Sequence, residues 1–178
     1  MQLTDTDLIA RVLADDDRHA FAELIRRHQS ALRGFMRRLT DGDAALADDL
    51  AQEACIEAYK SLWKFSGSSA FSTWLMGIGY NRFRQWRRKR REIAMDEVPE
   101  NADENAATHE RGVELDVREA VGRLKPEERT ALELCYGQGL SHDEAAQVLG
   151  CPLGTLKTHI LRAKEQLRNF LAAYSANA

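Results

Sequence analysis

The chain has little of what holds small secreted domains or membrane proteins together. Its three cysteines, Cys55, Cys135 and Cys151, are spread over 178 residues. An odd number at such spacing argues against a disulfide framework and for a reducing compartment, so a cytoplasmic location is expected. No apolar run approaches the roughly 18–20 residues of a membrane span, so no membrane insertion is expected. The opening MQLTDTDLIARVLADDD lacks the basic flank and apolar stretch of a secretory signal. Nothing alternates with period two over a useful length, so no strands are expected. No GxxxxGK[ST], GxSxG or HExxH occurs, and no enzyme activity is expected. Cys135, His142, Cys151 and His159 lack the short ligand spacing of a zinc site, so buried thiols are the simpler reading, with no metal and no cofactor.

What is present is segregated charge. The formal net charge is only −3, yet Arg82–Arg91 carries seven cations and Glu92–Glu110 carries seven acids with no Lys or Arg. The near-zero average hides two opposite patches. Just before the cations, Phe71, Trp74, Leu75 and Ile78 take the i, i+3, i+4, i+7 spacing of one helix face. Phe83 and Trp86 lie among the arginines. Aromatic rings offer platforms for bases and guanidinium groups neutralise phosphates, so this helix is suited to nucleic acid. The plainer reading, a solvated helix end whose cations complement the macrodipole, stays open on this stretch alone.

The 3.6 period predicts three helices before it: a short one capped by Thr4 or Thr6, with Leu8, Ile9, Val12 and Leu13 inward and ended by the acidic turn Asp15–Asp17, then about Arg18–Leu39 and Ala44–Lys64. Ser66-Gly67-Ser68-Ser69 forms a polar loop into the aromatic-basic helix, which is expected to end at Arg91. Residues 92–112 lack helical periodicity and contain Pro99, which predicts a flexible acidic linker spanning about 25 Å. With such a tether the two halves need not touch. After it come a helix from Val113 to Leu124, a helix opened by Pro126, a short helix capped by Ser141 with Glu144 as capping-box partner, a turn at Gly150, and a last helix Leu153–Leu171. The expected fold is all-α, with two small helical domains at 1–91 and 113–178.

The unit SHDEAAQVLGCPLGTLKTHILRAKEQLR has the short helix, tight turn and longer polar-fronted helix of a helix-turn-helix. A plain helical hairpin is the alternative. Three blocks together resemble the bacterial RNA polymerase sigma factors of the extracytoplasmic-function group. Leu124–Arg129 with Gly139–Ser141 and Gly150–Lys157 looks like the family's −35-reading domain. Asp48–Glu53 looks like its polymerase-docking helix, and Ser69–Leu75 through Asn81 and the basic run like its −10-reading and melting element.

The resemblance implies polymerase contacts from Asp48, Asp49, Gln52 and Glu53. It implies −10 contacts from Phe65, Ser66, Ser68, Ser69, Phe71, Asn81, Arg82, Arg84, Gln85 and Arg88, and −35 contacts from Gly154, Thr155, Lys157, Thr158, His159 and Arg162. The implied partners are core RNA polymerase through its beta and beta-prime subunits, promoter DNA, and an anti-sigma factor. Cys55 stands where the family usually has Phe and His159 where it often has Arg, so the −35 preference does not carry over. The linker, with its nucleic-acid-like charge, is expected to thread a basic channel of the polymerase. The rival readings are a stand-alone helix-turn-helix regulator and a helical adaptor that sequesters a partner.

Overall fold

A computed structural model describes residues 3–96 and 119–175 of the chain. The helices are α1 (Asp5–Asp15), α2 (Arg18–Leu39), α3 (Ala44–Ser61), α4 (Phe71–Asp96), α5 (Pro126–Leu132), α6 (His142–Leu149) and α7 (Leu153–Ser175), with a further helical stretch at 119–122. No strand occurs among the described residues.

Helix starts follow the local chemistry. Thr4 caps α1 and forms a reciprocal box with Asp7. The Asp17 carboxylate accepts from the backbone N–H of His19 and Ala20, and that of Asp43 from Leu46. Pro126 opens α5 where its missing N–H costs nothing. Ser141 and Glu144 form the expected box at the start of α6. Gly150 ends α6 at φ 65° with open space around its Cα, so its left-handed turn suits glycine for backbone reasons alone.

Three boundaries differ from expectation. The last turn of α3 tightens into a 3₁₀ turn at Leu62–Lys64. The helix opened by Pro126 gives way after Leu132 to a π turn at Glu133–Gly137. α4 continues to Asp96 rather than stopping at Arg91, because neither Gly nor Pro intervenes before Pro99. Most of the predicted linker, and the start of the helix predicted at Val113, lie in 97–118, outside the described residues.

α2, α3 and α4 pack mutually, with α1 against α2. Leu24, Leu32, Phe35 and Met36 of α2 meet Ala47, Ala54 and Ala58 of α3 and Leu75 and Met76 of α4, all buried. Alanines on the inner face of α3 allow this close approach. At Gly79 a Cβ would stand 3.0 Å from Leu32 Cδ1 and Met36 Cε, so α4 comes close to α2 there. α5 and α6 pack against α7 around Leu134, Leu156 and Ile160. The buried Glu128 carboxylate accepts from Lys125 N–H and from Gln166 Nε2, tying the start of α5 to α7.

The tether does not require the halves to touch, but they do. α6 packs on α4, and one hydrophobic core runs from α1 through Val148 and Leu149 to Ile160. Thr73 donates to Glu144 over 3.2 Å, Arg38 pairs with Glu133 at 2.9 Å, and Arg129 pairs with Asp41 at 2.6 Å. Each ion pair has one well-exposed member, so each contributes about 0–1 kcal/mol and apolar packing carries the contact.

Candidate nucleic-acid interface

The loop after α3 is a hydroxyl rim over an aromatic floor. Phe71 is buried, with Phe65 at 6.0 Å, Trp74 at 5.8 Å and His28 at 5.4 Å between ring centroids. Phe65 and Trp74 are 5.3 Å apart. Above this cluster Ser66 and Ser68 are exposed, their hydroxyls 2.8 Å apart, and Ser69 is half-buried. Phe71 is therefore part of the floor, packed among Phe65, Trp74 and His28, and is not accessible to DNA.

One exposed face of α4 continues from this rim. Asn81, Arg84, Gln85 and Arg88 are all exposed and follow i, i+3, i+4, i+7. Arg84 lies over the Tyr80 ring at 5.9 Å, and Arg88 reaches Glu92 at 3.5 Å. Arg82 turns aside, its Nη2 donating to Glu57 of α3 over 2.7 Å, so it is half-buried and braces α4 on α3. Phe83 is buried rather than free to stack on a base, and Trp86 is half-buried, stacked on Phe83 at 6.1 Å. The basic run thus splits. Its other face, Arg87, Arg90 and Arg91, lines a cleft of about 450 Å³ closed by Asp41, Pro126 and Arg129.

The acidic patch on α3 is narrower than its sequence. Asp48 is half-buried beside Arg33 at 3.5 Å, with Oδ1 making no hydrogen bond. Asp49, Gln52 and Glu53 are exposed. Cys55 is half-buried, and burial raises its thiol above the ordinary value. Burial also raises Cys135 and Cys151. No group of three or more His, Cys, Asp or Glu side chains among the described residues is arranged to hold a metal.

In the helix-turn-helix, buried Ala145 and Ala146 let α6 lie close to α7. Gly154, Thr155, Lys157, Thr158 and Arg162 are exposed at the front of α7. The Thr158 hydroxyl donates to Gly154 O over 2.9 Å, so its proton is engaged within the helix and it offers outward an acceptor only. His159 is half-buried, with Nδ1 buried and unpartnered. The Ser141 backbone N–H and then its hydroxyl hold the Glu144 carboxyl below the ordinary carboxylate range, with a smaller contribution from Thr73.

The largest features missing from the sequence reading are Trp63, 71% exposed, and the contacts between halves. Trp63 was legible: it falls one position off the inward series Ala54, Ala58, Leu62. The contacts between halves carry no periodic signal.

The chain matches the family models for sigma-70 region 2 over residues 24–93 and sigma-70 region 4 over residues 114–167. It is 34% identical to the ECF RNA polymerase sigma-E factor of Haemophilus influenzae, covering 94% of this chain and 95% of that protein. It is 36% identical to the RNA polymerase sigma-H factor of Pseudomonas aeruginosa, covering 93% of each. Its fold is similar to the sigma factor RpoE of Bartonella quintana solved with the anti-sigma factor NepR (TM-score 0.68, 28% identity, 85% of this chain and 96% of that one). It is also similar to CnrH solved with the cytosolic domain of CnrY (TM-score 0.66, 28% identity, 95% and 97%). The two matched regions bracket the two exposed polar faces on α4 and α7, and relatives align along nearly the whole length: the chain belongs to the sigma-70 family of RNA polymerase sigma factors, in the extracytoplasmic-function group.

Proposed function

We propose that this sigma factor divides promoter reading between two water-facing surfaces and docks on core RNA polymerase with a third. Ser66, Ser68 and Asn81 read the −10 element, with Arg84, Gln85 and Arg88 tracking the displaced strand. Opening DNA costs on the order of 1.4 kcal/mol per base step, which a gripped base and neutralised phosphates offset. Thr155, Lys157, His159 and Arg162 read the −35 element from the front of α7, while Gly154 lets backbone approach a phosphate. Asp49, Gln52 and Glu53 face a basic surface on the beta-prime or beta subunit. Asp48 and Arg82 position these faces from within. The chain performs no catalysis itself, acts in the cytoplasm, and is held by an anti-sigma partner until needed. Residues 1–91 and 113–178 are the working units, joined through 92–112.

The observation that carries this reading is the set Ser66, Ser68, Asn81, Arg84, Gln85 and Arg88, polar and exposed on the loop and helix that flank the Phe65, Phe71 and Trp74 cluster. The test is transcription from a pool of genomic fragments by core enzyme with and without this chain, with permanganate footprinting. New start sites with unpaired thymines upstream are expected only with the chain present. Specific gel shifts by the free protein, without start-site selection, would instead fit a stand-alone regulator.

A further inference from the structure

The water-facing side of α3 does not end at its acids. Its buried side is Ala47, Ala51, Ala54, Ala58 and Leu62. Opposite these, at spacings of three or four residues, stand Asp49, Gln52, Ile56, Lys60 and Trp63, a single stripe about 20 Å long at 1.5 Å per residue. Ile56 is 51% exposed and Trp63 is 71% exposed. The indole is held outward by the 3₁₀ turn, closed by Phe65 N–H donating to Leu62 O over 2.9 Å, and Lys64 Nζ sits 5.0 Å from its ring centre. Two large apolar side chains on one exposed stripe are an unfilled hydrophobic contact, and tryptophan is among the residues most enriched at interface hot spots.

We propose that Ile56 and Trp63 are the apolar anchor by which α3 seats on core RNA polymerase, with Asp49, Gln52 and Glu53 forming its polar end. This rests on the docking role assigned to α3 above and names the residues that supply most of the binding energy. Charge complementarity sets the occupant. Asp49 and Glu53 place two exposed carboxylates at one end of the helix, which repel a phosphate chain and suit a protein surface with cations opposite the acids and an apolar recess opposite the indole. Lys60 is exposed on the stripe between the two anchors.

The test uses the full chain and core enzyme in a competition binding assay, with Trp63→Ala, Ile56→Ala, Trp63→Phe and the double variant Asp49→Lys/Glu53→Lys. Because both anchors are surface residues, thermal melts should match the parent. Trp63→Ala should weaken core binding about tenfold or more, Ile56→Ala by several-fold, and Trp63→Phe should recover part of the loss. Core affinity unchanged by Trp63→Ala but lowered by the double charge variant overturns the anchor while leaving the docking role of α3 intact. Affinity unchanged in all four variants overturns both. If Trp63→Ala keeps core affinity but loses promoter unpairing, the indole serves DNA and the anchor is overturned.

Discussion

The Thr73 hydroxyl donates to the Glu144 carboxylate over 3.2 Å, across 71 positions of sequence, and joins α4 to α6. The other oxygen of that carboxylate accepts from the Ser141 backbone N–H at 2.9 Å and its hydroxyl at 2.7 Å, so one side chain both caps α6 and fastens it to the first half. Glu144→Ala should cost about 1–2 kcal/mol in urea unfolding, and Thr73→Val less. Because the folded carboxyl titrates below its ordinary 4.5, its contribution is whole above that pH and fades as pH falls through the lowered value. Glu144→Gln should flatten stability across that acid window; an unaltered profile would show that Glu144 does not titrate there.

The contact between halves should open on a promoter. Elements about 25 base pairs apart lie roughly 80 Å apart along a duplex rising 3.4 Å per pair. α4, with 26 residues, is only about 39 Å long. Asp41 and Arg129 pair across the halves at 2.6 Å, and the Asp41 side chain is 73% exposed, so cysteines at these two positions lie within reach of a short reducible bis-thiol cross-linker. Asp41→Cys with Arg129→Cys, bridged by such a reagent in the free protein, should lose promoter-directed transcription and recover it on reduction. Equal transcription by the bridged and reduced forms would mean that the halves stay together on DNA.

On the α4 face proposed to read the −10 element, position and charge should separate. Within the polymerase complex, Arg88→Ala is expected to weaken promoter binding on all sequences and lower the slope of log affinity against log salt by about one. Asn81→Ala should leave that slope alone and relax preference among −10 sequences by about 1–3 kcal/mol. Affinity titrations at several salt concentrations on two promoter variants measure both.

Glu23 is gripped from two sides, accepting from Arg26 Nε and Nη2 at 2.7 and 2.8 Å and from Arg27 Nε at 2.9 Å. The Arg26 bonds first, then Arg27, hold its carboxyl down at about 2. Arg27 also reaches Asp5 and Leu3 O, so the pair pins α1 to α2. Its stabilisation is complete above the ordinary 4.5 and is lost as pH falls toward about 2. A carboxyl carbon titration by NMR should give a midpoint near 2; one near 4.5 would contradict the grip.

Cys55, Cys135 and Cys151 should behave as packing residues. Burial raises all three thiols, so at pH 8 each should react with a maleimide at least about tenfold slower in the folded protein than in urea. Fast labelling of Cys55 in the folded chain would refute this.

Much of the proposed working surface was legible in the residues because helix periodicity converts spacing into direction. Asn81, Arg84, Gln85 and Arg88 share an exposed face as their spacing requires, and Thr155, Lys157 and Arg162 front α7. Capping chemistry placed Thr4 and Ser141 at helix starts, while the caps at Asp17 and Asp43 emerged with the structure. Periodicity gives direction but not partners. It could not tell that Phe71 closes an aromatic floor, that Phe83 lies inward, that Glu57 holds Arg82, or that Arg33 stands beside Asp48.

By itself the sequence determined the helices, their caps and the order of the three polar faces, because each depends on neighbours within four residues along the chain. Only the tertiary structure decided which cations and which acids stay exposed rather than paired between helices, and that α6 rests on α4. Those outcomes depend on atoms brought together from distant positions, where burial and pairing between helices, rather than local spacing, set the energy.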